Sequence, residues 1–193
     1  IIKPANLGSS IGISKASDRT ALEEKINLAC SFAPRILAEK AIVNLREINC
    51  SVLGDGNSCK ASVCEEPVMS DEILSFSDKY ESQSSSKGMA SLSRIIPAKI
   101  PDEKTKEIQD ISERLFKYLD CCGVVRIDFI IDEGDGGKVY INEINTIPGS
   151  LAFYLWKESG IEYKELLDRM ISLGQKRDRD RKNLTFTYDT NIL

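Results

Sequence analysis

The sequence contains no histidine among its 193 residues. Without histidine the chain cannot form a Ser-His-Asp or Cys-His triad, cannot ligate zinc through imidazole and has no imidazole general base. It also lacks any run approaching the 18 or more apolar residues of a membrane span, and no signal-peptide pattern opens the chain. We therefore expect no membrane partner.

Neither charge nor cysteine usage is unusual. The 26 basic and 30 acidic residues give a net charge of -4, which argues against nucleic-acid binding that depends on overall charge. The six cysteines include no C-x-x-C pair, and the adjacent Cys121 and Cys122 are unlike a secreted disulfide framework. We expect reduced cysteines that act as small buried hydrophobes, and a cytoplasmic protein.

The order of strand and helix signals predicts an α+β fold built on mainly antiparallel sheet. Residues 1–4 already read as a strand, without the Met and polar lead-in of a natural start, so we expect a piece of a longer protein. A second short strand over 11–14 precedes a helix capped by Ser17 or Asp18. The further predicted elements are a strand over 36–39, a hairpin over 46–53 and 58–64, a helix over 102–119, a hairpin from 124 to 145 and helices over 152–158 and 163–173.

Two of these regions carry specific expectations. In the helix over 102–119 we expect Ile108, Ile111, Leu115 and Leu119 to form the buried face. The segment 66–93 is polar and rich in serine, with too few apolar residues for a packed element. A loop of this length in a compact domain is either a lid or a passive flexible insertion.

The second hairpin carries the most informative polar residues. Arg126 and Asp128 share one face of a strand, and Glu143 and Asn145 share one face of the next. If residues 134–137 form a four-residue loop and Glu133 pairs with Lys138, Asp128 lies opposite Glu143 and Arg126 opposite Asn145. Two carboxylates that close, among apolar neighbours, would repel each other unless a divalent cation bound them.

Oxygen ligands of this kind suit Mg²⁺ or Mn²⁺, and Arg126 beside them would hold an anion or a developing negative charge. From the spacing alone, a polar outer sheet face with a surface ion pair remains an equal alternative. Gly8-Ser9-Ser10, after a strand that carries Lys3, could cradle a phosphate but does not match a Walker loop.

Taken together, the motifs resemble one family closely, the D-alanine–D-alanine ligases of the ATP-grasp fold. They occur in the family's order and spacing and span most of the chain. The matching segments are Lys3 to Gly12, Ala38-Glu39-Lys40, Arg46-Glu47, Asp78-Lys79-Tyr80, Arg126-Ile127-Asp128 and Glu143 to Gly149.

The resemblance implies an ATP-grasp architecture of antiparallel sheets with flanking helices and a mobile lid loop. Residues 1–45 would be the later part of the central ATP-grasp subdomain, and residues 46–193 the carboxy-terminal subdomain with the lid over 66–93. The family's amino-terminal domain would be absent from this chain.

The resemblance also implies a role for each matching residue. Lys3, Glu39, Lys40, Glu47 and Lys79 would bind the nucleotide. Asp128, Glu143 and Asn145 would hold two Mg²⁺ (or Mn²⁺) ions. The remaining roles are Arg126 on the acyl phosphate and tetrahedral intermediate, Tyr80 hydrogen-bonded to Ser9 to close the lid, and Gly149 and Ser150 towards the second substrate.

The implied activity is the ATP-dependent joining of two D-alanines through D-alanyl phosphate, for peptidoglycan precursor synthesis. Such transfer depends on positioning and charge neutralisation, which agrees with the absence of histidine. The alternatives are a D-Ala–D-Ser or D-Ala–D-Lac ligase, another ATP-grasp carboxylate–amine ligase, or a non-catalytic nucleotide-binding module. We expect ATP and D-alanine as partners, no nucleic acid, a homodimer at full length, and an inactive isolated fragment.

Overall fold

The computed structural model describes residues 1–8, 11–68 and 94–185. Contacts within the chain divide it into two compact units. The first contains Ile1–Leu45, and the second contains Arg46–Pro67 together with the chain from Arg94 onward. Each unit is described by itself.

The first unit consists of a small sheet and one helix. Its elements are β1 (Ile2–Pro4), α1 (Arg19–Phe32) and β2 (Ile36–Ala38). β1 pairs antiparallel with β2, and the predicted strand over 11–14 is reduced to a single bridge between Ser14 and Ile2. Asp18 caps α1 by accepting a hydrogen bond from the Ala21 N–H at 2.9 Å, which confirms one of the two predicted caps.

The second unit is a five-stranded sheet with helices, in the strand order β5-β4-β3-β6-β7. The hairpin partners β3 and β4, the pair β4 and β5, and the hairpin partners β6 and β7 are all antiparallel. The predicted α+β class with mainly antiparallel pairing is therefore confirmed. Its elements are β3 (Leu45–Gly54), β4 (Cys59–Pro67), β5 (Arg94–Ile95), α2 (Asp102–Tyr118), β6 (Gly123–Asp132), β7 (Lys138–Asn145), α3 (Phe153–Glu158) and α4 (Tyr163–Lys182).

One face of this sheet packs against α2. The core there is built from alternate residues of β3 and β6, because successive side chains of a strand point to opposite faces. The predicted helix face was partly wrong. Phe116 and Ile108 are fully buried, whereas Leu119 is 47% exposed, so the buried stripe is centred about one residue away from the expected line.

The other face of the sheet carries a second core. Leu53, Val124 and Trp156 are buried there, together with Ile161 and Leu166 from the segment that contains α4. The Trp156 indole N–H donates to Ser51 Oγ at 3.0 Å, and Ser51 Oγ donates to the Val125 carbonyl at 2.7 Å. This chain of hydrogen bonds ties α3 to β3 and β6. The six cysteines are free thiols, as expected, but the expected burial is found only for Cys50 and Cys64, since Cys30 is exposed and the other three are half-buried.

The β6–β7 hairpin has the predicted cross-strand partners but a different turn. Asp128 lies opposite Glu143 and Arg126 opposite Asn145, as predicted. The predicted pair of Glu133 with Lys138 was wrong, since Asp132 pairs with Lys138 and the turn is one residue longer. A β-bulge between Asp128 and Phe129 absorbs the difference, because it adds one residue to β7.

The observed ends of the elements differ from the predicted ones in two places. The predicted loop over 66–93 begins too early, since Glu66 and Pro67 still belong to β4 and pair with β5. Its positions 69–93, which include Lys79 and Tyr80, lie outside the described residues, as does Ser9. The predicted helix over 163–173 is too short, since α4 continues to Lys182.

In the described part of the chain, no helix combines the length and the apolar character needed to cross a membrane.

Candidate active site

A polar patch lies on the sheet face that carries the second core. Alternation along each strand brings polar side chains to this face, while their neighbours in sequence enter the core against α2. Unlike the Leu53 and Trp156 end of the face, this end is lined by side chains that form ion pairs and hydrogen bonds. The patch contains Asn49 of β3, Glu65 of β4, Arg126 and Asp128 of β6, and Glu143 and Asn145 of β7.

Arg126 and Asp128 form a two-pronged ion pair along β6. The Arg126 Nε donates to Asp128 Oδ1 and Nη2 donates to Oδ2, each at 2.7 Å. Burial alone would lower the pKa of Arg126, but the hydrogen bonds and charge of Asp128 outweigh it and raise that pKa. The guanidinium therefore keeps its full charge and is held in one orientation.

Asp128 experiences the opposite balance. Burial raises the pKa of Asp128, Arg126 lowers it, and the nearby charges of Glu143 and Glu65 raise it further, so that the net shift is upward. A carboxylate in such surroundings favours neutralisation by a proton or a cation. A divalent cation bound here would reduce the repulsion between Asp128 and the neighbouring carboxylates of Glu143 and Glu65.

Asn145 lies between the two facing carboxylates. Its Nδ2 donates to Asp128 Oδ2 at 3.0 Å and to Glu143 Oε1 at 3.3 Å. Within the described residues, no group of three or more Asp, Glu, Cys or His side chains converges as a metal cluster. The set of two carboxylates and one amide nevertheless fits Mg²⁺ or Mn²⁺, because these cations need only one or two carboxylates and take other oxygen ligands from phosphate and water.

Glu65 was not predicted from the sequence, yet it is the most deeply buried acid at this site, with 2% of its surface exposed. Its Oε1 accepts hydrogen bonds from Asn49 Nδ2 and from the Tyr154 hydroxyl, both at 2.9 Å. The Arg94 guanidinium stacks over the Tyr154 ring at 4.1 Å, and its Nε lies 3.8 Å from Glu65 Oε2. One feature of the sequence could have indicated Glu65. It is an acid within a strand of mostly buried residues, and the next residue, Glu66, is a second acid that points to the opposite face.

The predicted substrate-facing residues Gly149 and Ser150 begin a tight turn that leads into α3. Ser150, Leu151 and Ala152 have φ angles of 54°, 54° and 49°, all in the left-handed region. Each such residue without glycine's freedom costs about 1–2 kcal/mol. Strained backbone of this kind persists only where its surroundings hold it, and Tyr154 and Trp156 directly after the turn are both anchored to the sheet.

Other predicted nucleotide-binding residues lie in the first unit. Lys3 of β1 forms an ion pair with Glu39 at 2.5 Å, and the amino terminus donates to the Glu39 carbonyl at 2.8 Å. Lys40 follows directly and is exposed. Glu47 belongs to β3 of the second unit and is half-buried. The roles expected for Ser9, Lys79 and Tyr80 concern positions outside the described residues.

Sequence comparison connects this chain to one family. Residues 1–172 match the family described as "D-ala D-ala ligase C-terminus". The D-alanine–D-alanine ligase of Thermosipho melanesiensis is 44% identical over 193 residues, which cover 100% of this chain and 50% of the relative. That of Caldicellulosiruptor bescii is 44% identical over 192 residues, covering 97% and 50%. The chain therefore spans about half the length of the curated relatives it matches.

Solved structures show the same relationship. The D-alanine–D-alanine ligase from Coxiella burnetii superimposes with a TM-score of 0.76 at 28% identity, covering 94% of this chain and 46% of that one. The VanG D-Ala:D-Ser ligase from Enterococcus faecalis gives a TM-score of 0.73 at 30% identity, covering 89% and 48%. These matches confirm the ATP-grasp architecture expected from the sequence.

Proposed function

The chain belongs to the D-Ala–D-Ala ligase carboxy-terminal family, and from this membership we propose that the full-length protein is an ATP-dependent ligase that joins two D-alanines. The carboxylate of the first D-alanine is phosphorylated by ATP, and the amine of the second then displaces phosphate from the acyl phosphate. The observation that carries the proposal is the Arg126–Asp128 pair, which lies directly across from Asn145 and Glu143.

Arg126 is the residue to which we assign charge stabilisation. Its guanidinium is half-buried, permanently charged and oriented by Asp128. A fixed cation in partly desolvated surroundings stabilises a developing oxyanion without having to reorganise during the reaction. Arg126 would therefore act on the acyl phosphate and on the tetrahedral intermediate that follows it.

Asp128, Glu143 and Asn145 would hold magnesium, or manganese, and the family resemblance implies two ions. When bound, the metal neutralises charge on the nucleotide phosphates. The two carboxylates supply hard oxygen ligands from neighbouring strands, and the Asn145 side chain contacts both of them. The register of the β6–β7 hairpin fixes the distances between these three side chains, so the proposed metal ligands are held by the sheet itself.

The remaining assignments follow the resemblance residue by residue. Residues 1–45 would be the later part of the central ATP-grasp subdomain, and 46–193 the carboxy-terminal subdomain with its lid. Lys3, Glu39, Lys40, Glu47 and Lys79 would contribute to nucleotide binding. Tyr80 and Ser9 would close the lid, and Gly149 and Ser150 would face the second substrate.

The cellular setting is proposed from the same chemistry. ATP is supplied in the cytoplasm, where the product dipeptide would enter peptidoglycan precursor synthesis. We also propose that the full-length protein is a homodimer, which size-exclusion chromatography with light scattering would test. Similarity to the VanG D-Ala:D-Ser ligase supports D-serine as a second candidate for the attacking amino acid.

An ADP-release assay on the full-length protein tests the proposal. ADP should appear only with Mg²⁺ and D-alanine present, and separate reactions that add D-serine or D-lactate identify the second substrate. Glu143→Ala should abolish release, whereas Glu103→Ala, an exposed acid on α2, should leave it unchanged. ATP binding without ADP release in the wild type would instead support a non-catalytic nucleotide-binding module.

A further inference from the structure

The strongest unexplained feature is the buried carboxylate of Glu65. It lies on β4 opposite Asn49 of β3, and both of its hydrogen-bond donors bind the same oxygen, Oε1. Among the described residues, the buried Oε2 accepts no hydrogen bond, and the Nε of Arg94 approaches it only to 3.8 Å. Burial of an acid is unfavourable unless its charge is compensated. A position that served packing alone would be better filled by an apolar side chain.

The partners of Glu65 come from separate parts of the second unit. Tyr154 belongs to the first turn of α3, two residues after the left-handed turn Gly149–Ala152 ends. Arg94 belongs to β5 and stacks on the Tyr154 ring. One carboxylate therefore connects β3, β5 and the segment that follows the strained turn.

This network also faces the Arg126 side of the sheet. The negative charge of Glu65 acts on both Arg126 and Asp128, and the Tyr154 hydroxyl, which keeps its proton near neutral pH, donates to Glu65 on the same side of the sheet. The strands that carry Glu65, Asn49 and Arg126 are neighbours in the sheet, and the Gly149–Ala152 turn lies against β6, the strand of Arg126. The Glu65 network is therefore adjacent to the residues that we assign to catalysis, although it contributes none of them.

We propose that Glu65 is a positioning residue, which holds Tyr154 and Arg94 in place and thereby fixes the Gly149–Ala152 turn beside Arg126 for the second amino-acid substrate. This inference rests on the proposed ligase function. It assigns to Glu65 no contact with substrate. Its effect is on the conformation of the turn, because three successive left-handed residues are strained and depend on surroundings that hold them in place.

The test uses the full-length protein with Glu65→Ala, Glu65→Gln, Tyr154→Phe and the double variant Glu65→Ala/Tyr154→Phe. Glu66→Gln is the matched control, because Glu66 is the next residue of β4 and its carboxylate binds Arg46 instead of Tyr154. Two readouts are needed: steady-state kinetics for each substrate, and hydrogen–deuterium exchange of the peptide covering residues 149–158.

Glu65→Ala should raise KM for the second amino acid by about 10-fold and lower kcat, while KM for ATP changes by less than about twofold. Glu65→Gln should have a smaller effect, because its amide oxygen can still accept from Tyr154. The double variant should be no worse than the more damaging single variant, since both remove the same interaction. Exchange in 149–158 should accelerate in the Glu65→Ala and Tyr154→Phe proteins and stay unchanged in the control.

The two readouts separate this inference from the proposed function. A wild-type protein that releases no ADP with any of the amino acids would refute the ligase assignment, and the exchange measurement alone would then decide the positioning role. Unchanged exchange in Glu65→Ala would overturn the inference whatever the kinetics. So would additive kinetic effects in the double variant, or an equal rise of KM for both substrates.

Discussion

Asp128 and Glu143 lie directly opposite each other on neighbouring antiparallel strands, and the Asn145 amide donates a hydrogen bond to both. Two facing carboxylates repel, and burial of Asp128 strengthens that repulsion. Arg126 neutralises Asp128 from one side through its two-pronged ion pair, and the uncharged Asn145 amide bridges Asp128 and Glu143. A divalent cation between the two carboxylates would supply positive charge to both.

Addition of Mg²⁺ should therefore stabilise the folded protein even without nucleotide. A ligand present at about 100 times its dissociation constant stabilises the fold by about 2.7 kcal/mol. We expect the thermal midpoint of the full-length protein to rise with Mg²⁺, and the rise to be lost in Glu143→Gln. Differential scanning fluorimetry with and without EDTA measures this, and an equal rise in both proteins would refute the assignment of Glu143 as a ligand.

Tyr154 should ionise unusually late. Burial, and next the charge of Glu65, raise the pKa of Tyr154 to about 12. Because the folded state keeps the proton longer than the unfolded chain, the stability that depends on this group is present below pH 10 and decreases between pH 10 and 12. Tyrosinate absorbance near 295 nm should show one late step that is missing in Tyr154→Phe.

The same titration examines the Glu65–Tyr154 contact. Glu65→Gln removes a negative charge next to the phenol, so the late step should move to lower pH. Glu66→Gln should leave the step where it is. A late step that is insensitive to Glu65→Gln would mean that burial alone accounts for the shift.

Ser51 should be more important for stability than its size suggests. Its hydroxyl accepts from the fully buried Trp156 indole and donates to the Val125 carbonyl. Ser51→Ala leaves the indole N–H without a partner in the core, which costs about 1–3 kcal/mol. Urea unfolding measures the loss, and Ser172→Ala on the exposed part of α4 should remain within about 0.5 kcal/mol of wild type.

The register of α2 against the sheet can be tested with two substitutions three residues apart. Phe116→Ala should destabilise the protein by about 3–5 kcal/mol, because the ring is fully buried in the core. Leu119→Ala, at a position that the sequence predicts to belong to the buried face, should cost much less because the side chain is 47% exposed. Similar losses from both variants would contradict the observed packing.

The sequence predicts much of this fold because the signals are local. Alternation of apolar and polar residues predicts the strands of both hairpins, and the polar residues before a helical stripe limit the cap to Ser17 or Asp18, of which the structure has Asp18. The helix face was less accurate, since Phe116 and Leu115 are neighbours on the helix and only contact with the sheet decides which lies deeper. Sequence periodicity therefore predicts that a helix is present, but it leaves the orientation of the helix about its axis uncertain by about one residue, or roughly 100°.

The candidate site divides in the same way. Arg126, Asp128, Glu143 and Asn145 could be found from the sequence because a hairpin relates them by simple counting, and the β-bulge happened to cancel an error of one residue in the turn. The contact of Glu65 with Tyr154 could not be inferred from the sequence, because the two residues are 89 positions apart and belong to different elements. Only the packing of α3 on the sheet brings the two together.

The sequence alone thus determined the strand pairs and the acids that face each other, because hydrogen-bonded neighbours along and across a hairpin follow from spacing. The tertiary structure decided which polar groups are buried, which oxygen of Glu65 has partners, and how the left-handed turn before α3 is held. These properties depend on side chains distant in sequence and on the loss of solvent around them, and no local pattern contains that information.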